Sequence, residues 1–290
     1  MKLARCLIVA GVAVFLSAGS AQASEKPEFS FSFLGFHKKL EKYRPKIEKL
    51  SRYYGIDPDL ALAIAMYESG GNEGLVSHAG ARGIMQVMPS TKDSMQLDDD
   101  IEAGIKYLSR LKKIFGDQSS KIIAAYNGGP GAVRRDRLRL ETIQYLQGVS
   151  MYHHLLKQYR KEIDKEAADL KIVEIKNETW RDVSIRFRVS ILELRMYNPF
   201  LAHRGELKMG ARVVAPKISR LGIKKENNEL IYIARLGDEQ HLLANVFDVS
   251  YDEFRRRNHL FLYGAVYPGI VIRAIAREYL LSGWPVNNKK

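Results

Sequence analysis

Cysteine is almost absent from this chain. Its 290 residues include a single cysteine, Cys6, which lies in an N-terminal segment that we expect to be removed. A mature chain without cysteine forms no disulfide, so packed cores have to stabilise it. Tryptophan is also scarce, at two residues, but hydrophobic residues make up 46% of the sequence, which is enough for real cores and excludes wholesale disorder.

Long apolar runs are absent after the N-terminus. Lys2 and Arg5 precede an apolar run, Leu7–Leu16, and Ala21-Gln22-Ala23 then has the small-x-small form of a cleavage site. These features predict a signal peptide over residues 1–23. The alternative is an uncleaved anchor, but the run is short for a membrane span of about 20 residues. We expect an exported protein, periplasmic or associated with the cell wall, with no transmembrane segment after signal cleavage.

Acidic residues are outnumbered. The chain has 46 Lys and Arg against 33 Asp and Glu, a net charge of +13. Loss of residues 1–23 leaves about +11, and a basic exported protein favours an anionic partner. Nucleic acid is not expected as that partner, because no nucleic-acid motif is present and the compartment is wrong for it.

The residues from about 38 to 165 have a helical pattern. Asp57 is a natural N-cap, Pro58 fits the first helical position, and Gly70 and Gly71 end that helix. The residues between are apolar almost all round, which predicts a buried helix. Further helices are predicted at 100–115, 119–127 and 140–165, and residues 24–37 are expected to be an irregular lead-in.

The pattern changes after about residue 170. Short β-rich runs occur at 171–175, 211–215, 230–234 and 270–274, and they bracket helical stretches. The sequence after residue 170 also repeats itself at an offset of 60 residues, which indicates two copies of one small module. The recurring pairs are Phe187 and Phe247, Val189 and Val249, Ser190 and Ser250, Glu193 and Glu253, Arg195 and Arg255, and Asn198 and Asn258.

Glu68 is a candidate general acid because of its position in the sequence. It lies in the last turn of the predicted buried helix, where desolvation and the negative end of the helix dipole both favour the neutral acid. A carboxylic acid that stays protonated near neutral pH is what glycosidic cleavage needs, because the leaving oxygen must receive a proton. On its own this signal is weak, since a Glu at a helix end is usually solvated.

Several blocks follow in order and make the signal specific. Glu68-Ser69-Gly70-Gly71-Asn72 leads to Ser77, to the stretch from Gly80 to Thr91, to Ala125–Gly131 and to Glu141–Tyr145. Together they resemble the catalytic domain of soluble lytic transglycosylases, which has a lysozyme-like fold, over about residues 43–150. The family usually has Ala where Gly128 stands, a departure that we expect to be mild.

The resemblance implies roles residue by residue. Glu68 matches the single catalytic acid and base of the family. The other matched positions are expected to bind saccharide in the cleft: Ser77, Gln86, Met88, Tyr126, Asn127, Glu141 and Tyr145. Two alternatives stay open, namely that Met88 fills the core and that Glu141 caps a helix. The resemblance implies that the protein uses no metal and no cofactor, and that its partner is the peptidoglycan glycan strand.

A second catalytic carboxylate is lacking from the matched motifs. Most hydrolytic glycosidases use two acids, and the candidates here, Glu73 and Asp98–Asp100, are better explained as solvated loop residues. The family solution is intramolecular: the C6 hydroxyl of N-acetylmuramic acid attacks C1 and leaves a 1,6-anhydro end. The alternatives are a hydrolytic muramidase and an inert peptidoglycan-binding protein.

The repeats resemble LysM carbohydrate-binding modules. In the first copy Glu178–Val183 stands at the helix start, and in the second Gly237-Asp238 does. Such modules imply binding to N-acetylglucosamine-containing glycans and are expected to tether the enzyme to the wall. The alternative is that one or both are degenerate spacers.

The sequence therefore predicts an α+β protein. A mainly helical lysozyme-like catalytic domain is expected over residues 24–168, followed by two small βααβ LysM-like modules at 171–217 and 230–275. Residues 218–229 are interpreted as a linker and residues 276–290 as a tail. The sequence does not indicate the oligomeric state.

Overall fold

The computed structural model describes residues 27–202, 206–260 and 266–282. The predicted signal segment, residues 1–23, lies outside the described residues. The first half is helical, and the predicted helices at 100–115, 119–127 and 140–165 are confirmed to within about two residues. Its helices are α1 (Phe31–Leu40), α2 (Arg44–Tyr53), α3 (Pro58–Ser69), α4 (Pro89–Asp93), α5 (Asp100–Phe115), α6 (Ser119–Gly128), α7 (Pro130–Arg134) and α8 (Leu140–Ala167).

Helix α3 forms as its end signals predict. The Asp57 side chain accepts a hydrogen bond from the backbone N–H of Asp59, and Pro58 occupies the first turn. Gly70 ends the helix in the left-handed conformation, with φ of 57°. Every residue from Leu60 to Met66 is buried, and α8 packs along this helix.

The second half is built from two similar βααβ units. The first contains β1 (Leu170–Glu174), α9 (Trp180–Phe187), α10 (Ile191–Tyr197), the short α11 (Pro199–Ala202) and β2 (Arg212–Pro216). After β3 (Lys224–Glu226), the second contains β4 (Glu229–Ile233), α12 (Gln240–Phe247), α13 (Tyr251–Arg257) and β5 (Val271–Ile275), and α14 (Glu278–Leu281) follows. In each unit the first and last strands pair antiparallel, β1 with β2 and β4 with β5.

The 60-residue repeat has a structural basis. Ser190 and Ser250 cap α10 and α13 by accepting a hydrogen bond from the backbone three residues on. Asn198 ties the end of α10 to β2 through Val214, and Asn258 makes the equivalent pair of hydrogen bonds to the backbone of Arg273 in β5. These matched polar positions were the residues that revealed the repeat.

The expectation of an irregular lead-in over residues 24–37 is wrong from Phe31 onward. Ser30 caps α1 by accepting a hydrogen bond from the backbone N–H of Phe33, and nearly all of the helix is buried. The helix lies between the two halves: the Phe31 ring contacts Tyr197, and the Phe33 ring contacts Tyr152 of α8. Because a helix buried on all sides shows no amphipathic period, the sequence pattern did not reveal it.

Gly35 allows the closest approach in this contact. A Cβ atom at that position would lie 2.0 Å from the carbonyl oxygen of Tyr197, so only glycine lets α1 rest on the end of α10. The first residues before the helix also contact the second repeat, because Phe29 forms a parallel bridge with Leu236. The buried side chains of both halves consequently form one continuous core.

Two boundary interpretations also need correction. The segment 218–229 is not a plain linker, since β3 pairs with β4 and joins a three-stranded sheet in the order β3-β4-β5. The tail 276–290 is ordered over its described part, where Leu280 of α14 is buried and the carbonyl of Ser282 accepts a hydrogen bond from the backbone of Ile191. The second repeat therefore reaches back onto the first.

Within the described ranges, no helix combines the length and the apolar character that crossing a bilayer requires.

Candidate active site

Glu68 lies one residue before the end of α3, at the edge of the helical core. The hydroxyl of Tyr145, in the second turn of α8, donates a hydrogen bond of 2.7 Å to Oε1 of Glu68. The Tyr145 side chain is buried, whereas Glu68 keeps part of its surface exposed. The structure thus brings together two of the residues that the sequence singled out, on two helices that pack along one another.

The surroundings of Glu68 favour its neutral form. Burial raises the pKa of its carboxyl from an ordinary 4.5 to about 7. The hydrogen bond from Tyr145 opposes that rise in pKa, and the negative charge of Glu141 adds to it. A pKa near neutrality lets one group act as an acid and then as a base.

A loop follows α3 and is fastened to the helix end beside Glu68. Ser69 is buried, and its hydroxyl donates to the carbonyl of Ile84 at 2.8 Å. Within the loop, the Ser77 hydroxyl accepts a hydrogen bond from the backbone N–H of Ala81. Gln86 has a φ of 47°, and its amide nitrogen donates to two loop carbonyls, those of Leu75 and Gly83. In this structure Ser77 and Gln86 hold the loop in shape.

Tyr126 and Asn127 stand at the end of α6. Tyr126 is packed inward, and its hydroxyl donates to the carbonyl of Met85 at 2.8 Å. Asn127 is exposed, and its side-chain oxygen accepts a hydrogen bond of 2.8 Å from the hydroxyl of Thr142. A Cβ atom on Gly128 would lie 2.8 Å from that hydroxyl, so glycine leaves Thr142 the space it occupies beside Asn127.

The two predicted residues with open alternatives are both at the surface. Met88 is 39% exposed at the start of α4, which makes a core-filling role wrong. Glu141 lies exposed in the first turn of α8, and no side-chain cap closes that helix end. Its carboxylate is close enough for its charge to raise the pKa of Glu68.

Tyr67 is a contact residue that sequence reasoning missed. Its ring meets the Tyr145 ring edge-on at a centroid distance of 5.0 Å, and on another side it meets the ring of His241 at 6.1 Å. A Cβ atom on Gly148 would lie 2.0 Å from the Tyr67 ring, so this glycine allows the ring to lie against α8. The helix start of the second repeat consequently touches the residue next to Glu68.

Metal-binding geometry does not occur in the described part of the chain, where no three His, Cys, Asp or Glu side chains group to hold an ion. His153, one of two adjacent histidines on α8, is hydrogen-bonded to Asp57 at 2.9 Å.

Comparison with known families finds a match within the helical half. Residues 45–142 match the family model described as the transglycosylase SLT domain. The match includes Glu68, the loop after α3 and the Tyr126–Asn127 pair, and it confirms the resemblance that the ordered motif blocks predict. The model does not extend over the two βααβ units.

Particular relatives share the same part of the chain. A segment of 122 residues is 36% identical to the membrane-bound lytic murein transglycosylase C of Pectobacterium atrosepticum, and covers 34% of this chain and 34% of that protein. The enzyme of the same name from Haemophilus influenzae (strain PittEE) is 36% identical over 118 residues, which cover 32% of this chain and 33% of that protein. The chain therefore spans about a third of the length of the curated relatives it matches.

A solved structure of an inactive mutant of the lytic transglycosylase Slt from Pseudomonas aeruginosa is similar over a limited region. It is 24% identical, covers 41% of this chain and 24% of that chain, and has a TM-score of 0.37.

Proposed function

We propose that this chain is a peptidoglycan lytic transglycosylase that uses Glu68 as its single acid and base. The observation that carries the proposal is the Glu68 carboxyl, which burial holds at a pKa of about 7 beside a bound tyrosine hydroxyl. The match of the surrounding residues to the SLT domain supports it. So do the names of the relatives, which are lytic murein transglycosylases.

The reaction has two proton transfers through one carboxyl. Protonated Glu68 gives its proton to the oxygen between N-acetylmuramic acid and N-acetylglucosamine as the C1–O bond breaks. Glu68, now a carboxylate, takes the proton of the C6 hydroxyl of the muramic acid while that oxygen forms a bond to C1. The products are a free N-acetylglucosamine end and a 1,6-anhydro end, and the intramolecular nucleophile gains a large effective molarity.

Tyr145 is the positioning residue for this carboxyl. Its hydroxyl holds one oxygen of Glu68, and the hydrogen bond stabilises the carboxylate that the second step needs. Met88 offers an exposed apolar surface for a sugar face, and Asn127 offers the amide nitrogen, since its oxygen is occupied by Thr142. The same groove is shaped by residues that hydrogen-bond the backbone of the loop after α3, namely Ser77, Gln86 and Tyr126.

The two βααβ units are proposed to be LysM-like glycan-binding modules, at 171–217 and 230–275. Their antiparallel strand pairs, paired helices and matched serine and asparagine positions support that assignment. We also propose an envelope location, which agrees with the predicted signal segment and with the membrane-bound relatives.

Hydrolysis by a muramidase is the second candidate, and Glu141 is the reason to keep it. A carboxylate whose charge acts on the acid is the partner that a hydrolase would use to activate water. The masses of the products decide between the two reactions, because a 1,6-anhydro end weighs one water less than a reducing end.

The test is product release from purified sacculi by the full chain and three variants. We expect Glu68→Gln to abolish cleavage without lowering the melting temperature, because the amide fits the space and carries no transferable proton. Glu73→Gln is the control, since Glu73 is exposed and pairs only with Lys42 in the described structure. Reducing ends that disappear in Glu141→Gln would support hydrolysis, and residual cleavage by folded Glu68→Gln would refute both candidates.

A further inference from the structure

A narrow crevice separates α8 from the start of the second repeat. Tyr67 lies at one end, Gln144 and Gln147 line the α8 side, and Gln240, His241 and Tyr251 line the repeat side. We propose that this crevice is an additional substrate subsite, built jointly by the two halves, which binds a secondary amide carried by the glycan strand. The inference rests on the proposed function, since that function supplies the strand.

The crevice continues the proposed cleft. Glu141, Gln144 and Gly148 follow one another at three- and four-residue steps and form one row along α8, with Tyr145 next to Gln144. The row spans about 10 Å at the rise of an α-helix, beginning at the cleft wall and ending in the crevice. Tyr67 joins the two regions, because one side of its ring contacts Tyr145 and another contacts His241. A strand bound at Glu68 can therefore extend along this row.

The lining fits an amide group. The side-chain amides of Gln144 and Gln147 provide both donors and acceptors, and the rings of Tyr67 and His241 provide flat apolar surface for a methyl group. The cavity volume is about 40 Å³, too small for a sugar ring. What fits is a substituent that projects from the strand, such as an acetamido group or the first amide of a peptide stem.

The carboxyl of Glu239 also lines the crevice. Its Oε1 is buried and makes no hydrogen bond in the described structure, while the hydroxyls of Tyr67 and Tyr152 lie near enough to the carboxyl to favour its charged form. The neighbouring Asp238 is different, because its carboxylate accepts hydrogen bonds from the Tyr232 hydroxyl and from the backbone of Arg235. Because this oxygen makes no hydrogen bond, it has room for a further donor, and an amide N–H of a ligand supplies one.

The test uses the full chain and replaces exposed residues at the rim. Gln147→Ala and His241→Ala remove groups from opposite sides of the crevice without opening the core. Gln158→Ala is the matched control, an exposed glutamine on the same helix that does not line the crevice. Binding is measured on the Glu68→Gln background with glycan strands of defined length, and KM and kcat are measured on the Glu68 background.

We expect each rim variant to weaken binding and raise KM about five- to tenfold, the effect of one or two hydrogen bonds, with kcat and melting temperature close to those of Gln158→Ala. Strands with intact peptide stems are compared with strands stripped by an amidase. Weaker binding of both identifies the acetamido group as the ligand, and weaker binding of the stem-bearing strands alone identifies a stem amide.

Rim variants that bind both kinds of strand as tightly as Gln158→Ala overturn the subsite. That result is separate from failure of the proposed function, which would appear as absence of cleavage by the unmodified chain or as cleavage by Glu68→Gln. The binding measurement needs no turnover, so it tests the crevice in either case.

Discussion

The hydroxyl of Tyr145 donates a hydrogen bond to Oε1 of Glu68 across the contact between α8 and α3. The hydrogen bond opposes the effect of burial, because burial favours the neutral acid and the tyrosine hydroxyl favours the carboxylate. Together with the charge of Glu141, which also raises the pKa, these effects leave it at about 7. Loss of the Tyr145 hydroxyl should therefore raise the pKa of Glu68.

Tyr145→Phe is expected to raise the pKa of Glu68 and to move the alkaline limit of activity to higher pH. Cleavage needs protonated Glu68 at the start, so activity falls as pH rises through that pKa. At the optimum we expect kcat to fall about tenfold, since the lost hydrogen bond stabilised the carboxylate of the second step. The measurement is the pH profile of anhydro-product release. Tyr53→Phe, at a residue 78% exposed, is the control and should leave the profile unchanged; an alkaline limit that stays or moves down in Tyr145→Phe would contradict the assignment.

Glu239→Gln is expected to stabilise the protein at pH 8 and to have little effect at pH 4. Burial raises the pKa of Glu239 from an ordinary 4.5 to about 7, although the hydroxyls of Tyr152 and Tyr67 favour its charged form. Between those two pKa values the unfolded chain has released the proton and the folded chain retains it. The free energy of unfolding therefore falls as pH rises from 4.5 to about 7. Above that pH the full cost of burying the charged carboxylate is present.

The size of that cost is about 3 kcal/mol, from a pKa shift of this magnitude at 1.36 kcal/mol per unit. Denaturant unfolding at pH 4, 6 and 8 measures it. Glu226→Gln is the control, at an exposed glutamate on β3. Equal free energies of unfolding for Glu239→Gln and the original chain at pH 8 would show that the carboxylate is not penalised by its burial.

Gly35→Ala is expected to destabilise the whole chain, by about 3 kcal/mol or more, because the new Cβ meets a backbone atom that cannot move aside. Gly222→Ala is the matched control, since no atom lies within 4 Å of a Cβ placed there. That change should stay within about 0.5 kcal/mol. Denaturant unfolding of both variants checks the prediction, and equal stabilities would mean that α1 is not packed on the first repeat.

Removal of residues 171–290 tests whether the repeats act only as a tether. The truncated chain loses the partners of α1, among them Tyr197 and Tyr232, and exposes the aromatic side chains they cover. We therefore expect a lower melting temperature and loss of activity on sacculi and on short oligosaccharides alike. Removal of residues 283–290 alone is the control, because it deletes none of the described contacts. Retained turnover of short oligosaccharides would instead support an independent tether.

The elements that the sequence predicted well are those with local signals. The first and last strands of the two βααβ units, β1, β2, β4 and β5, each lie within one residue of the predicted run, and α3 has the cap and the terminating glycine that its ends indicated. The ordered motif blocks also singled out both Glu68 and Tyr145, whose side chains are hydrogen-bonded in the structure. In each case the deciding residues are close together in the sequence or match a family pattern.

What the sequence did not reveal depends on contacts between distant segments. Helix α1 carries phenylalanine on several faces because five elements pack against it, namely α3, α8, α10, β1 and β2, so it has no period to detect. The approach of His241 to Tyr67 is similar, since neither residue stands in a motif and the contact exists only once the second repeat has docked. The crevice is invisible in the sequence for the same reason.

The position of α1 also determines the order in which parts of the chain can reach their folded packing. During synthesis this helix emerges long before its partners, since Phe31 and Tyr232 are about 200 residues apart in a pair whose rings meet. In a chain that folds from its N-terminus as it is made, α3 and α8 can cover part of this helix early, but the side that carries Phe31 stays uncovered until the second repeat has been synthesised. Helix α1 is therefore among the last described segments to reach its final packing, and we expect the slow phase of folding to involve it.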